Sequence, residues 1–288
     1  MYKSYFKLLR IKDWRAYFLI ALLGFLVSKG YLSSLREIIT FWTVILFFLA
    51  FGFSINDCFD TKEDALDSEK RKLVISREIS FQKGLFFSIV LVILGLFLTI
   101  RFGLIPFLLA LGNVLLALFY SAPPLRFKSR PFLDLFSHGL FAGALIFLFP
   151  VLIFNKNLEL FHYLIAFSIF WVSVSMELRN HLEDYEFDKK AGLKTTVCFL
   201  GLEKAEKLLR SMTSFFPLIF SPIFFLFSSK YLILFLILTL IFLPVFLFSP
   251  LDNKQLMRAK EKFKKLKNYR IIDAYTIFSF GLIIIATI

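Results

Sequence analysis

The sequence predicts an all-α integral membrane protein with nine transmembrane helices, and three observations carry that expectation. The 288 residues are 58% hydrophobic and only 19% charged, with a mean hydropathy of +0.76, which leaves too little polar side chain to coat a water-soluble globule of this size. Apolar runs of about 18 or more residues recur along the chain, each long enough as a helix to cross a hydrocarbon core of roughly 30 Å. Of the 34 Lys and Arg residues, 29 fall on one side of the topology those runs define, a strong positive-inside asymmetry. Backbone amides in lipid must be satisfied internally, and no segment alternates with the period of a barrel strand, so the spans are helices.

Taken in order, residues 1 to 13 are polar and basic, ending on Arg10, Ile11, Lys12 and Asp13. The apolar stretch after them has no small-residue cleavage site, and it is expected to be a retained first span. The nine spans lie near 14–33, 38–55, 84–101, 104–121, 131–154, 159–178, 211–228, 231–249 and 271–288. The basic side comprises the amino terminus and the connections after spans two, four, six and eight. The opposite side has only Lys29, Arg36, Arg101, Lys156 and Lys230. The amino terminus is therefore expected in the cytoplasm and the carboxyl terminus outside. The net charge of +13 then faces anionic lipid headgroups, which also explain the basic 254–270 connection without nucleic acid as a partner. No linker or soluble domain interrupts residues 1–288, which read as a single transmembrane domain. Cys58 and Cys198 stand at no metal-ligand or disulfide-framework spacing and are expected as reduced thiols. His138, His162 and His181 are scattered and predict ordinary polar contacts.

Two acidic segments depart from this apolar background. Asn56, Asp57, Asp60, Asp64 and Asp67 directly continue the second span, and a helix persisting through them would put Asn56, Asp57, Asp60 and Asp64 on one face. Glu177, at the end of the sixth span, leads into Glu183, Asp184, Glu186 and Asp188, with Asp184 and Asp188 again sharing a face. Asp60 and Asp64 are matched 124 residues later by Asp184 and Asp188. That offset implies two related four-helix halves plus a ninth helix, with the two segments facing one another at the shared interface. Carboxylates about 6 Å apart repel by roughly 3 kcal/mol at an effective dielectric near 20. Water or neighbouring bases relieve such repulsion at ordinary solvated loop ends. Two such segments on the same membrane side point instead to a divalent cation, and Mg2+ fits because it prefers oxygen ligands and combines one or two carboxylates with substrate phosphates.

Bases stand beside both segments: Lys70, Arg71, Lys72 and Arg77 after the first, Arg126 and Lys128 after span four, and Lys189, Lys190 and Lys194 after the second. Arg engages phosphate oxygens in a fork and Lys as a point charge, and with a metal ion they stabilise a departing diphosphate. Positive-inside topology alone accounts for Lys189 and Lys190. The run Tyr120-Ser121-Ala122-Pro123-Pro124-Leu125-Arg126-Phe127-Lys128 is more particular, because two prolines stop the fourth helix and fix a short turn ahead of the basic pair.

Together these residues resemble the UbiA superfamily of intramembrane prenyltransferases. Its members share an Asn-Asp-x-x-Asp-x-x-x-Asp segment, here Asn56 to Asp64, a Tyr-Ser-x-x-Pro-x-Arg-x-Lys turn, here Tyr120 to Lys128, and an Asp-x-x-x-Asp segment, here Asp184 to Asp188. Gly192, Lys194 and Thr195 are similar to the family's Gly-x-Lys-Thr continuation. The resemblance spans nearly the whole chain and implies a ring of nine helices around a central cavity, open sideways to the bilayer for a long isoprenoid. It implies that Asn56, Asp57, Asp60, Asp64, Asp184 and Asp188 hold Mg2+, with Asp60, Asp64, Asp184 and Asp188 central to catalysis. It implies further that Asn56, Tyr120, Arg126, Lys128, Arg71 and Lys194 bind or position the diphosphate of a polyprenyl substrate. The reaction implied is ionisation of that diphosphate and capture of the allylic cation by an electron-rich acceptor, in a site whose 41 phenylalanines supply apolar walls. Two departures stand out. Asp67 to Ser76 lacks the prolines many members have, and His181 occupies a position where many have an additional Asp.

Aromatic quinone precursors lead among the acceptors, ahead of lipid glycerols, carotenoids, tetrapyrroles and phosphosugars. A cation-coupled transporter is the main alternative. Its carboxylates would lie within the spans, whereas these lie at span ends on one side. A non-catalytic prenyl-lipid-binding relative would be expected to lack motif aspartates, and the core ones are present.

Overall fold

The computed structural model describes residues 2–61, 75, 78–227, 229–248 and 267–288. These form helices in the order α1 (Tyr2–Leu8), α2 (Arg15–Val27), α3 (Leu35–Phe59), α4 (Phe81–Thr99), α5 (Leu104–Ser121), α6 (Leu133–Gly139), α7 (Leu145–Phe154), α8 (Leu160–Ala191), α9 (Thr196–Leu200), α10 (Leu202–Ser214), α11 (Phe216–Phe227), α12 (Ser229–Phe248) and α13 (Lys267–Thr287). Among the described residues, six helical stretches are long and apolar enough to cross a membrane: Leu35–Phe59, Phe81–Phe102, Leu104–Ser121, Leu133–Phe154, Leu160–Ala191 and Leu202–Phe227. Three shorter apolar helices, Arg15–Val27, Ser229–Pro244 and Ile272–Thr287, occupy the expected first, eighth and ninth spans. The all-helical membrane architecture expected from composition is present.

Local chemistry sets the ends of these helices. Ser34 and Glu37 close a capping box on α3: the Glu37 amide donates to Ser34 Oγ at 3.3 Å and the Ser34 amide to Glu37 Oε2 at 3.1 Å, an arrangement worth about 1 kcal/mol. α5 ends where Ala122 turns extended before Pro123 and Pro124. α8 runs for 32 residues and stops at Gly192, whose φ of +76° lets the amides of Gly192 and Leu193 reach back to the Lys189 and Asp188 carbonyls. The expected sixth span is thus only the first part of a longer helix that carries the second acidic segment.

Other spans differ from expectation at their ends. α2 stops at Val27 and a separate turn spans Gly30–Leu32. The seventh span starts earlier, in amphipathic α10, and is interrupted at Phe215. Pro217, in the first turn of α11, lacks the amide that would continue the ladder. The fifth carries a π-helical turn, Leu140–Ala144, between α6 and α7.

α3 lies along α4, α2 against α7, and α6 with its π turn against α8. The last contact is close because two small residues make it so. A β-carbon on Gly139 would sit 2.5 Å from Val174 Cγ2 and 2.7 Å from the Phe170 ring, and one on Gly143 would sit 2.9 Å from Ser173 Cβ, the small-residue approach that membrane helices use. Phe86, Ile93 and Phe97 on α4 and Ile233, Leu240 and Ile241 on α12 point outward, as lipid-facing surfaces do. Between α2, α3, α5, α6, α7 and α8 lies a cavity of about 250 Å³.

Candidate active site

The cavity is apolar along most of its wall, through Ile45, Phe48, Leu49, Phe141, Ile146 and Phe149, and its polar lining comes from Arg10, Tyr17, Asn56, Asn113, Tyr120, Ser121, His138 and Glu177. That combination suits a ligand with a long hydrocarbon and one reactive polar group.

The first acidic segment and the proline turn come together as expected. Lys128, buried at the turn, forms an ion pair with Asp60. Arg126 places Nη2 3.9 Å from the Asp60 carboxylate and donates to the Phe59 carbonyl at 3.4 Å, so it also caps the C-terminus of α3, where carbonyls lack intrahelical partners. It does this from a left-handed backbone, φ +37°. Asn56 donates to Ser121 Oγ at 3.2 Å. α3 ends at Phe59 with Asp60 as its cap, its terminal carbonyl accepting from Arg126 and the Asp60 carboxylate pairing with Lys128. Asp64 and Arg71 lie outside the described residues.

Asp57 takes a partner that the sequence did not announce. Arg10, also left-handed at φ +50°, donates from Nη1 to Asp57 Oδ1 at 3.0 Å and from Nε to Asp13 Oδ2 at 2.8 Å, with its guanidinium 5.2 Å from the centre of the Phe53 ring. Burial pulls against its charge, yet Asp57 and Asp13 together carry the guanidinium pKa above its ordinary value. The amino-terminal stretch, read from sequence only as a basic end, therefore supplies one wall of the polar pocket.

On α8, Asp184 is half-buried and Asp188 buried, four residues apart on one helix as expected. Lys194 is exposed, and its amide donates to Ser129 Oγ at 3.2 Å, so the segment after α8 runs beside the Arg126–Lys128 turn. Thr196 strengthens that junction: its hydroxyl accepts from the Phe132 amide at 2.7 Å, and its amide and hydroxyl donate to the Asp134 carboxylate at 2.6 and 2.5 Å.

Tyr120 turns toward a group the sequence left in the background. Its hydroxyl donates to Glu177 Oε1 at 2.5 Å. His181 Nε2 lies 3.2 Å from the same oxygen, Asn180 Nδ2 donates to Oε2 at 2.9 Å, and His138 Nε2 lies 3.4 Å from Oε2. His181 Nδ1 faces Asp134 Oδ2 at 3.3 Å, close enough for charge attraction but without hydrogen-bond alignment. His138 Nδ1 meets Ser173 Oγ at 3.2 Å. A charged group at this depth was the available signal, since carboxylates inside spans are rare and partnered. His138 and His181 thus exceed ordinary polar contacts, whereas His162 matches that expectation by accepting from the Glu159 amide at α8's start.

The residues fit Mg2+ by donor chemistry, because Asn56, Asp57, Asp60, Asp184 and Asp188 offer oxygen only. Among the described residues no three His, Cys, Asp or Glu side chains converge tightly enough to hold an ion alone.

Comparison with known proteins agrees with this geometry. Residues 17–272 match the model of the UbiA prenyltransferase family. The chain is 29% identical over 275 residues to digeranylgeranylglyceryl phosphate synthase of Saccharolobus solfataricus, covering 92% of each chain. It is 27% identical over 282 residues to the Methanococcus vannielii protein of the same name, covering 94% of this chain and 96% of that one. Among solved structures, a UbiA homolog from Archaeoglobus fulgidus bound to GPP and Mg2+ superposes with a TM-score of 0.71 at 27% identity, over 99% of this chain and 98% of that one. On a family match covering most of its length, the chain belongs to the UbiA prenyltransferase family.

Proposed function

We propose that this protein transfers a polyprenyl group, of geranylgeranyl length, from its diphosphate to the free hydroxyl of a prenylated glyceryl phosphate lipid. Its similarity along nearly its whole length to synthases of digeranylgeranylglyceryl phosphate supports that acceptor, and replaces the aromatic preference drawn from the motifs alone. Those motifs are shared across acceptor branches, so they weigh little on this choice. A nine-helix ring of two related four-helix halves plus a ninth helix is the architecture that goes with this reading.

In this reading Asn56, Asp57, Asp60 and Asp64 with Asp184 and Asp188 hold Mg2+ against the diphosphate. The ion supplies charge neutralisation of the departing diphosphate. Arg126 and Lys128 meet the same oxygens from the turn, and Arg71 and Lys194 add positive charge at its edge. Lys128 pairs with Asp60, so the turn's cation stands beside a carboxylate proposed to hold Mg2+ against the diphosphate. The isoprenoid lies along Phe48, Phe141 and Phe149, ring faces that stabilise an allylic cation and exclude water.

The single observation carrying the proposal is the juxtaposition of Asp60 with Lys128 and Arg126, one helical turn beyond Asn56, which lines the apolar cavity. The test is incubation of purified protein with radiolabelled geranylgeranyl diphosphate, Mg2+ and a panel of acceptors, with product identification. Geranylgeranylglyceryl phosphate is expected to be prenylated and aromatic acids not. Asp60→Ala and Asp184→Ala are each expected to abolish diphosphate release while remaining folded in membranes. Full turnover in either variant defeats the two-segment site.

A further inference from the structure

We infer that Glu177 is the terminal proton acceptor for the acceptor's hydroxyl group, reached through the Tyr120 phenol. The inference rests on the glyceryl acceptor proposed above, because forming an ether from an alcohol requires the hydroxyl to lose its proton.

The geometry supports a relay. Glu177 lines the cavity from α8 and Tyr120 from α5. The Tyr120 hydroxyl donates to Oε1 and Asn180 Nδ2 to Oε2, while His181 Nε2 lies 3.2 Å from Oε1 and His138 Nε2 3.4 Å from Oε2, so side chains of α5, α6 and α8 hold the carboxylate in place. The Tyr120 oxygen donates its single proton to Glu177 and keeps lone pairs that an alcohol in the cavity can address. Asn113, on the same wall, has a buried Oδ1 without a hydrogen-bond partner among the described residues. It provides a second polar atom to receive a hydroxylated headgroup.

The step balances as follows. The bond between the allylic carbon and the diphosphate oxygen breaks, and its electron pair leaves with diphosphate. A lone pair on the acceptor hydroxyl forms the new carbon–oxygen bond. The hydroxyl proton passes to the Tyr120 oxygen as the Tyr120 proton passes to Glu177 Oε1. An oxygen bonded to an incipient carbocation is strongly acidic, so the acceptor need not be a strong base. It must be near and already aligned, which the 2.5 Å contact provides. The histidines position the carboxylate: His138 is held by Ser173 and His181 stands against Asp134.

The test uses full-length protein in detergent or vesicles with geranylgeranyl diphosphate, Mg2+ and geranylgeranylglyceryl phosphate. Glu177→Gln keeps the shape and an acceptor for the Tyr120 hydroxyl but removes the basic oxygen pair. General-base removal lowers rates by about 10² to 10⁴, so kcat is expected to fall at least a hundredfold while affinity for the Mg2+–prenyl diphosphate stays within a factor of about two. A purely structural role would move both together. If Glu177→Gln loses substrate binding, Tyr120→Phe carries the same test, since it removes the relay oxygen and leaves Glu177 its other donors. Either variant turning over at the wild-type rate overturns the relay and leaves the glyceryl acceptor standing. A wild-type enzyme that ignores the glyceryl acceptor overturns the functional reading, and the relay falls with it.

Discussion

Lys128 and Asp60 form a buried ion pair in which each partner is the other's main compensation. Removing one member of a buried pair costs about 3–5 kcal/mol, because the remaining charge stays desolvated. Lys128→Met is therefore expected to lower the unfolding temperature in detergent. Mg2+ with prenyl diphosphate should stabilise this variant less than it does wild type, because Lys128 is proposed to meet the diphosphate oxygens as well and its loss weakens binding. An equal ligand-induced shift in both proteins would mean that Lys128 does not contact the ligand. Much of this chemistry was legible at the residue level: Asp60 pairs with Lys128 and Arg126 and Asn56 bonds Ser121, contacts between two segments that their residue types had already singled out. Arg10 was not legible, since its approach to Asp57 depends on a left-handed kink between α1 and the next turn. Glu177 stood in plain view at the head of the second acidic segment. Its role needed the positions of His138 and Tyr120, which arrive from other helices.

Helices were legible wherever apolar length decided them, and less so wherever contacts between helices decided them. The second span, read as 38–55, is α3, which starts earlier at Leu35 and runs on to Phe59, where Arg126 meets its terminal carbonyl. The π turn at Leu140–Ala144 carries no length signal, yet it lies directly after His138 and puts Phe141 and Ala142 on the cavity wall. The contact of α6 with α8 gives a test at this scale. Gly139→Ala forces a methyl to within 2.5 Å of Val174 and 2.7 Å of Phe170, and overpacking of this kind costs about 1–3 kcal/mol. It should also separate His138 from Ser173 and so lower kcat. Gly112→Ala is the matched control, because a β-carbon there meets nothing within 4 Å, and alanine in a helix is favoured over glycine by roughly 0.5–1 kcal/mol. Thermal unfolding should move down for the first variant and hold or rise for the second. The reverse order would show that the close approach of α6 to α8 is not what fixes this region.

At the scale of the whole molecule, charge and apolar length combine into an orientation. The 29 basic residues expected on one side include those of the turn at Arg126–Lys128 and the segment after α8, which the fold brings together at Ser129 and Lys194. One membrane face thus holds both the phosphate-binding charge and the positive-inside signal, and we propose that it is cytoplasmic. Cysteine labelling in sealed, right-side-out vesicles tests this. Cys58 is buried, and burial pushes the Cys198 thiol above its ordinary pKa, so at neutral pH both react slowly and leave a low background. A thiol introduced by Ser33→Cys, in the exposed connection between α2 and α3, should react with an impermeant maleimide added outside. One introduced by Lys190→Cys, near the end of α8, should react only after the vesicles are opened. A raised thiol pKa also means that labelling of Cys198 should climb as pH passes above the usual thiol range, which identifies the background if it appears. Labelling of Lys190→Cys from outside with Ser33→Cys protected would invert the topology and put the diphosphate site on the opposite face from the one the charges predict.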